Sequence, residues 1–409
     1  MISFLLQAAP AGTRFIFSNN RSKTWPKARG CWSGCARWLP AWPSEGLRQT
    51  SRKDQTSWRT QVTTQDSNSL EARKQRWRDF LDLTKPPSLL YLIHYNPDPV
   101  PPPKPWPQLK EERIAWALRE YERQREQMEW LRDDSIPFIN PYTGTEIFAE
   151  AMGCRVHRPE DNNPFALPLI HSAREVSRVR VPQLEETPLM LLFEIADELR
   201  RRAGPEAVMK LVDIQSPMDI AALIWDKNDF YVGIYDAPEA VKELAAKVKE
   251  LFFAFNDAWF ARYGREFIAH YPAYYMPQGL TLSEDEVGSV NSAMFEEFYL
   301  PELVEISQRY GGLGMHCCAN ARHQWANFKR IPNLRLLNLV QPPEILREAW
   351  IYFAHHVPQM HSWSGDGPAW TWPQQYPAGA RIVIQAEAKT RDEALELADK
   401  LWVACGRAH

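Results

Sequence analysis

Short apolar runs alternate with segments of helical period from about residue 70 to the end of the chain. Residues 88–95 form an apolar run bounded by prolines, which is the pattern of a strand buried on both faces. Seven more strands are predicted at 136–140, 208–214, 266–270, 313–317, 334–340, 359–362 and 381–386. Helical segments are predicted at 70–81, 109–133, 144–152, 188–203, 236–263, 292–310, 343–356 and 390–404.

This alternation predicts an α/β fold built on a parallel sheet. Its length suits a (β/α)8 (TIM) barrel in a single large domain. A doubly wound open sheet is the alternative, and it would favour a glycine-rich turn after the first strand. The sequence there is Tyr95-Asn-Pro-Asp-Pro, without a G-x-G-x-x-G motif. We therefore expect the barrel, with catalytic groups at the carboxyl ends of its strands.

Residues 1–67 differ from the rest of the chain. They carry ten Lys and Arg against three Asp and Glu, together with five tryptophans, and show no sustained period. We predict a disordered basic extension over 1–67 and the folded domain over 68–409. A targeting segment is the alternative interpretation of the basic, acid-poor composition.

Charge and composition limit the possible partners and locations. The formal net charge of −3 gives no indication of a nucleic-acid or membrane surface. We find no apolar run of about 18 residues that would span a bilayer. Six cysteines in 409 residues are typical of thiols in a reducing compartment, so we expect a cytoplasmic protein.

The strongest candidate chemistry lies at 314–323, where a predicted strand ends before a helix. His316 and Cys318, spaced H-x-C, can reach one metal ion, and imidazole nitrogen and thiolate sulfur are usual zinc ligands. A buried, non-ligating cysteine is the alternative, since cysteine is common in protein cores.

Four segments resemble the uroporphyrinogen decarboxylase superfamily, in order and with suitable gaps. Asp213–Leu223 resembles its third-strand loop and helix, and Tyr235–Leu244 resembles its "D-x-P-E-x-V" helix start. Ser292–Leu303 resembles the "F-E-E-F-x-L-P" segment, and Met315–Asn320 resembles the "H-x-C-G-N" turn. The resemblance implies a (β/α)8 barrel enzyme.

The superfamily has two main activities, cofactor-independent decarboxylation of uroporphyrinogen and methyl transfer from cobalamin or another corrinoid to a thiol with zinc. Decarboxylases have an arginine-rich loop after the first strand, and residues 90–96 here contain no arginine. The resemblance therefore favours a zinc-dependent methyltransferase, working with a methylated small molecule or a corrinoid protein. The third zinc ligand of such enzymes is a Cys after the last strand. This chain has no Cys there, and Glu387 stands near the expected place, with a solvated residue at a strand end as the alternative. Uroporphyrinogen decarboxylation and non-catalytic binding of a tetrapyrrole or small ligand remain alternatives.

Other polar residues stand at predicted strand ends. Glu284 and Asp285 could ligate a metal, act as acid or base, or cap a helix. His361 is a catalytic candidate, with a core histidine as the alternative. Three further residues are candidates for substrate binding: Tyr142, Gln215 and Asn320.

Overall fold

Helices and strands make up much of residues 68–362 and 365–407, the part of the chain that the computed structural model describes. The predicted extension at 1–67 lies outside the described residues. The helices of the described part are α1 (Leu70–Leu81), α2 (Lys110–Trp130), α3 (Ile147–Ala151), α4 (Met190–Ala203), α5 (Pro217–Ile224), α6 (Lys227–Asp236), α7 (Pro238–Tyr263), α8 (Ser292–Met294), α9 (Leu300–Tyr310), α10 (Trp325–Phe328), α11 (Pro343–Phe353) and α12 (Arg391–Ala404). The strands are β1 (Leu89–Tyr95), β2 (Phe138–Ile139), β3 (Val156–His157), β4 (Phe165–Ala166), β5 (Val208–Lys210), β6 (Phe267–Ile268), β7 (Tyr275–Met276), β8 (Leu280–Ser283), β9 (Leu313–Cys317), β10 (Leu334–Leu339), β11 (Gln359–Ser362) and β12 (Ile382–Ala388).

Mainly parallel pairing joins ten of these strands into two sheets that form the barrel, while β3 and β4 make a separate antiparallel pair. Six of them form a sheet in the order β1-β12-β11-β10-β9-β8, and a second sheet has the order β2-β5-β6-β7. A parallel bridge joins Ser283 of β8 to Gln215, which lies five residues beyond the end of β5, and so connects the two sheets. The β6–β7 hairpin is antiparallel and is inserted beside β5. The predicted (β/α)8 fold is thus confirmed.

Two aspartates replace ordinary strand pairing at the seam between β1 and β2. The Asp134 carboxylate accepts a hydrogen bond from the Tyr91 N–H (2.9 Å), and the Asp133 carboxylate accepts one from the Ile93 N–H (3.0 Å). The Asp134 N–H donates to the Tyr91 carbonyl (3.0 Å). Buried backbone groups of β1 are therefore satisfied although its neighbour β2 is very short.

Aromatic side chains fill the amino-terminal end of the barrel. Trp77 of α1 is 1% exposed and stacks on Tyr274, with 6.2 Å between ring centroids. The Tyr274 hydroxyl occupies the space that a side chain at Gly314, near the start of β9, would need. The fold class places the chemistry at the opposite, carboxyl ends of the strands.

The sequence identified the long elements better than the short ones. The predicted strands 313–317 and 359–362 match β9 and β11, while β8, at Leu280–Ser283, was not identified as a strand. Four residues that follow Gly279 are too few to establish a period. None of the described helices is long and apolar enough to cross a membrane.

Candidate metal centre

A row of polar side chains crosses the inner face of the barrel on four neighbouring strands. His316, Asn338, Ser362 and Gln385 belong to β9, β10, β11 and β12, and the register pairs His316 with Asn338 and Ser362 with Gln385. The Asn338 amide lies 3.4 Å from the Ser362 hydroxyl, which donates to Gln385 Oε1 over 2.6 Å. A barrel core is usually apolar, so this row marks a polar site.

Three potential metal ligands meet where β8 and β9 end. One ligand atom each from Asp285, His316 and Cys318 lies within 4.8 Å of the others. His316 is buried at the end of β9, Cys318 is exposed one residue beyond that strand, and Asp285 follows β8. The Cys318 N–H also donates to Asp285 Oδ1 over 2.6 Å, which fixes the carboxylate beside the thiol.

The backbone is built so that these two loops approach closely. The Glu284 N–H donates to the His316 carbonyl over 2.9 Å, which continues the β8–β9 pairing past the strand end. An added Cβ at Gly288 would lie 2.7 Å from the Cβ of Ala319, so only glycine allows this approach without displacement. Asp219, in the first turn of α5, accepts hydrogen bonds from the N–H groups of Asp285 (2.8 Å) and Glu286 (3.1 Å).

Burial controls the protonation of the two stronger ligands. Burial lowers the pKa of His316, so that the ring is neutral near pH 7. Its Nδ1 atom lies 2.6 Å from Asn338 Oδ1, which leaves the Nε2 lone pair available to a metal. Burial, followed by the charge of Asp285, raises the pKa of the Cys318 thiol to about 12. A bound divalent cation reverses this effect, because thiolates bind such ions.

The donor set is suited to zinc. Imidazole nitrogen, thiolate sulfur and carboxylate oxygen are its usual protein ligands, and three of them leave a fourth position open in a catalytic site. The sequence predicted Asp285 as a catalytic residue. It is now the candidate for the third zinc ligand, the role that the sequence motifs assigned to Glu387.

Glu387 lies elsewhere in the barrel mouth. It is exposed, pairs in register with His94 of β1, and borders a cavity of about 620 Å³ between β1 and α2. Among the described residues, the group of potential ligands around His316 does not include it. Glu387 is remote from His316 because it belongs to β12, which is three strands away from β9 in the sheet.

Glu284 and Asp219 form a buried acidic pair behind Asp285. Glu284 is 1% exposed and Asp219 is 3% exposed. Burial, together with the neighbouring carboxylate, raises the pKa of Glu284 well above its usual range, and burial also raises that of Asp219. This shift favours the protonated form of Glu284, which suits a proton donor better than a metal ligand.

His361 faces the helices and not the barrel interior. Its ring lies 4.6 Å from that of Trp350 and 4.2 Å from that of Trp372, between centroids, and its Nδ1 is 2.7 Å from the Tyr376 hydroxyl. On β11 it is adjacent to the inward-facing Ser362, and neighbouring residues of a strand point to opposite faces. The catalytic role predicted for His361 has no support from this position, whereas the core alternative does.

The three predicted substrate-binding residues lie at separate points of the mouth. Tyr142 is half-buried against Trp116, with 5.9 Å between ring centroids. Gln215 bridges to Ser283 beside the candidate metal centre. Asn320 is exposed just beyond Cys318. Their roles stay predictions.

Sequence reasoning missed four polar residues that the barrel brings inside: Lys210, Asp213, His270 and Asn338. His270 is 5% exposed, and its ring nitrogens lie 3.1 Å from Thr281 Oγ1 and 2.9 Å from Ser283 Oγ. One sequence signal could have identified two of them. Lys210 and Asn338 are polar residues within predicted buried strands, where apolar residues are expected.

The fold and this centre define a (β/α)8 barrel protein with a candidate metal site at the carboxyl ends of its strands. Residues 140–339 match the family model described as uroporphyrinogen decarboxylase (URO-D). This match confirms, for the matched segment, the resemblance that the sequence motifs predicted.

Solved structures add evidence on the fold. A methyltransferase from Methanosarcina mazei is similar at 11% sequence identity and a TM-score of 0.54, over 82% of this chain and 98% of that one. The homocysteine methyltransferase MmuM from Escherichia coli aligns at 13% identity over 58% of this chain and 95% of that one, and its TM-score of 0.22 carries no structural argument. No curated protein matches the sequence.

Proposed function

We propose that this chain is a zinc-dependent methyltransferase, which transfers a methyl group between a methylated small molecule or corrinoid and a thiol acceptor. The observation that carries the proposal is the convergence of Asp285, His316 and Cys318 at one point of the barrel mouth. Uroporphyrinogen decarboxylation without a cofactor requires no such ligand set. The family match over residues 140–339 and the barrel fold are consistent with both activities.

The residues of the chain have distinct roles in this proposal. Asp285, His316 and Cys318 would hold the metal, and Asn338 orients the His316 ring through the 2.6 Å contact. Bound zinc lowers the pKa of a thiol and thus supplies a thiolate near neutral pH. In the transfer, the acceptor thiol releases its S–H proton to solvent, and its sulfur forms a bond to the methyl carbon. The bond from that carbon to the donor atom breaks, and the donor keeps the electron pair.

Metal content of the protein tests the proposal first. We expect about one zinc per chain after purification under reducing, chelator-free conditions, as for a single three-ligand site. Cys318→Ser and His316→Ala should each remove most of the zinc, because hydroxyl and methyl groups are poor or absent ligands. Cys317→Ala is the matched control, since Cys317 is fully buried and its thiol donates to the Ala319 carbonyl. Wild-type protein without zinc would contradict the proposal.

Methyl transfer tests it directly. The wild type should demethylate methylcobalamin in the presence of 2-mercaptoethanol under anaerobic conditions, which is followed by the change in the cobalamin absorption spectrum. Cys318→Ser should lose the activity together with the metal, whereas Cys317→Ala should retain both. A wild type that binds zinc but fails with a range of corrinoid and small methyl donors would refute the methyltransferase assignment.

A further inference from the structure

Tyr271 packs against the candidate metal centre without being one of the three potential ligands. It lies three residues beyond β6, and its ring meets the His316 ring edge to face, with 4.8 Å between centroids and 88° between planes. Pairs of rings with this geometry attract one another. The phenol is therefore held beside the histidine that we assign to the metal.

The same phenol lies near the Cys318 thiol. Burial raises the pKa of Tyr271, and the charge of Cys318 raises it further. Because the interaction between two charges weakens with distance, this effect places the hydroxyl close to the thiol. Tyr271 is 41% exposed, and Cys318 is exposed as well. Tyr271 thus flanks two potential ligands on a side of the centre that solvent reaches.

The phenol hydroxyl has no hydrogen-bond partner among the residues that the structure describes. The polar groups nearest to it in the chain and in space are already engaged. The ring nitrogens of His270 lie 3.1 Å from Thr281 Oγ1 and 2.9 Å from Ser283 Oγ. Nδ1 of His316 lies 2.6 Å from Asn338 Oδ1. A tyrosine hydroxyl carries its proton at neutral pH, so this one is available to donate to a ligand.

The open position of the metal is where such a ligand would bind. Three protein ligands leave the fourth position of a tetrahedral zinc ion free for water or substrate. A substrate that arrives from solvent approaches the metal beside the exposed Cys318, and Tyr271 lies on that side. Its hydroxyl is therefore suited to contact a group of the substrate next to the atom that binds the metal.

We propose that Tyr271 is a substrate-binding residue, whose hydroxyl donates a hydrogen bond to an oxygen atom of the acceptor thiol. The inference rests on the proposed function in placing that thiol at the metal. It narrows the acceptor to thiols with an oxygen atom a few bonds from the sulfur. A site that hydrogen-bonds a polar group of its substrate discriminates against an analogue without that group, so Tyr271 determines specificity.

Two thiols of the same shape test the inference. In 1-propanethiol a methyl group replaces the hydroxyl group of 2-mercaptoethanol. Cobalt-substituted protein is titrated with each thiol, and the increase in thiolate-to-cobalt absorption gives the two dissociation constants. The ratio of these constants should change by about 3- to 10-fold between the wild type and Tyr271→Phe, the range for one net hydrogen bond. Comparing ratios cancels the intrinsic differences between the thiols.

Tyr235→Phe is the matched control. Tyr235 lies on α6 and is 78% exposed, so the substitution removes a tyrosine hydroxyl far from any packed neighbour and should leave the ratio unchanged. Tyr271→Phe should keep the metal content of the wild type, because no ligand is altered. In methyl transfer it should raise the KM for 2-mercaptoethanol and leave kcat unchanged, as expected for the loss of uniform binding.

The outcomes distinguish this inference from the proposed function. Protein that binds neither zinc nor cobalt would refute the proposed function, and the inference would fall with it. The same ratio in metal-loaded wild type and Tyr271→Phe would overturn the inference alone. Loss of metal from Tyr271→Phe would also overturn it, since the hydroxyl would then act on the metal ligands. A ratio that depends on Tyr271, in protein that transfers no methyl group, would support the thiol site although the methyltransferase assignment fails.

Discussion

The Nδ1 atom of His316 lies 2.6 Å from Oδ1 of Asn338, the residue opposite it on the next strand. The amide oxygen can only accept, so the histidine carries its proton on Nδ1 and presents the Nε2 lone pair. Partners of this kind set the tautomer and the ring orientation of metal-ligating histidines. Asn338 is thus a positioning residue for the proposed zinc.

Replacement of Asn338 should weaken zinc binding without touching a ligand. We expect Asn338→Leu to lower the zinc affinity about 10- to 100-fold, the usual effect of losing such a partner. Asn338→Asp keeps an acceptor at the same place and should retain the metal. Competition with a chromophoric chelator measures both affinities. Equal affinities in the wild type and Asn338→Leu would show that the ring orientation does not depend on this contact.

The third ligand can be identified by comparing two carboxylates. Asp285→Asn should remove most of the zinc, because the amide that replaces the carboxylate is a much weaker ligand. Glu387→Gln should leave the zinc content unchanged, since the ligand group of the described residues does not include Glu387. Metal analysis of the two purified variants is sufficient. Zinc loss in Glu387→Gln alone would restore the assignment that the sequence motifs implied.

The sequence predicted the barrel because its evidence is local and repeated. Strands such as β9 and helices such as α7 are long enough to show their own periods. His316 and Cys318 could be paired from sequence for the same reason, since two residues apart at one strand end necessarily lie close together. These predictions need no knowledge of which strands are neighbours.

The third potential ligand, Asp285, can be predicted only when it is known which strands are neighbours. Asp285 follows β8, a strand of four residues that showed no period of its own, and it reaches Cys318 only because β8 pairs with β9. Glu387 stood at the expected position after the last strand, but the sequence does not give the course of the loops. Lys210 was missed because its strand was assigned by its apolar neighbours, and an inward-facing cation breaks that pattern.

The chain should not decarboxylate uroporphyrinogen. β1 and the residue that follows it, Leu89–Asn96, contain no arginine to form bidentate pairs with the substrate carboxylates. Anaerobic incubation with uroporphyrinogen, followed by chromatography of the oxidised porphyrins, tests this expectation. Accumulation of the four-carboxylate product would show that other side chains replace the arginines.

A buried acid far from the metal should make the fold less stable at alkaline pH. Glu302 of α9 is 8% exposed, and its Oε2 atom has no hydrogen-bond partner. Burial raises its pKa from the usual 4.5 to about 8, although Lys249 acts in the opposite direction. Lys249 is itself paired with Glu305, over 2.6 Å.

The sign of the pH dependence follows from this shift. The folded state binds the Glu302 proton more tightly than the unfolded state, so stability falls as the pH rises from 4.5 to about 8. Glu302→Gln keeps the shape and cannot ionise. Its free energy of unfolding relative to the wild type should therefore increase by about 4 kcal/mol between pH 5 and pH 9. Urea unfolding at the two pH values measures the difference. Glu305→Gln, at a half-exposed neighbour, should show almost no such change, and an equal response of the two variants would mean that Glu302 is ionised in the folded protein at neutral pH.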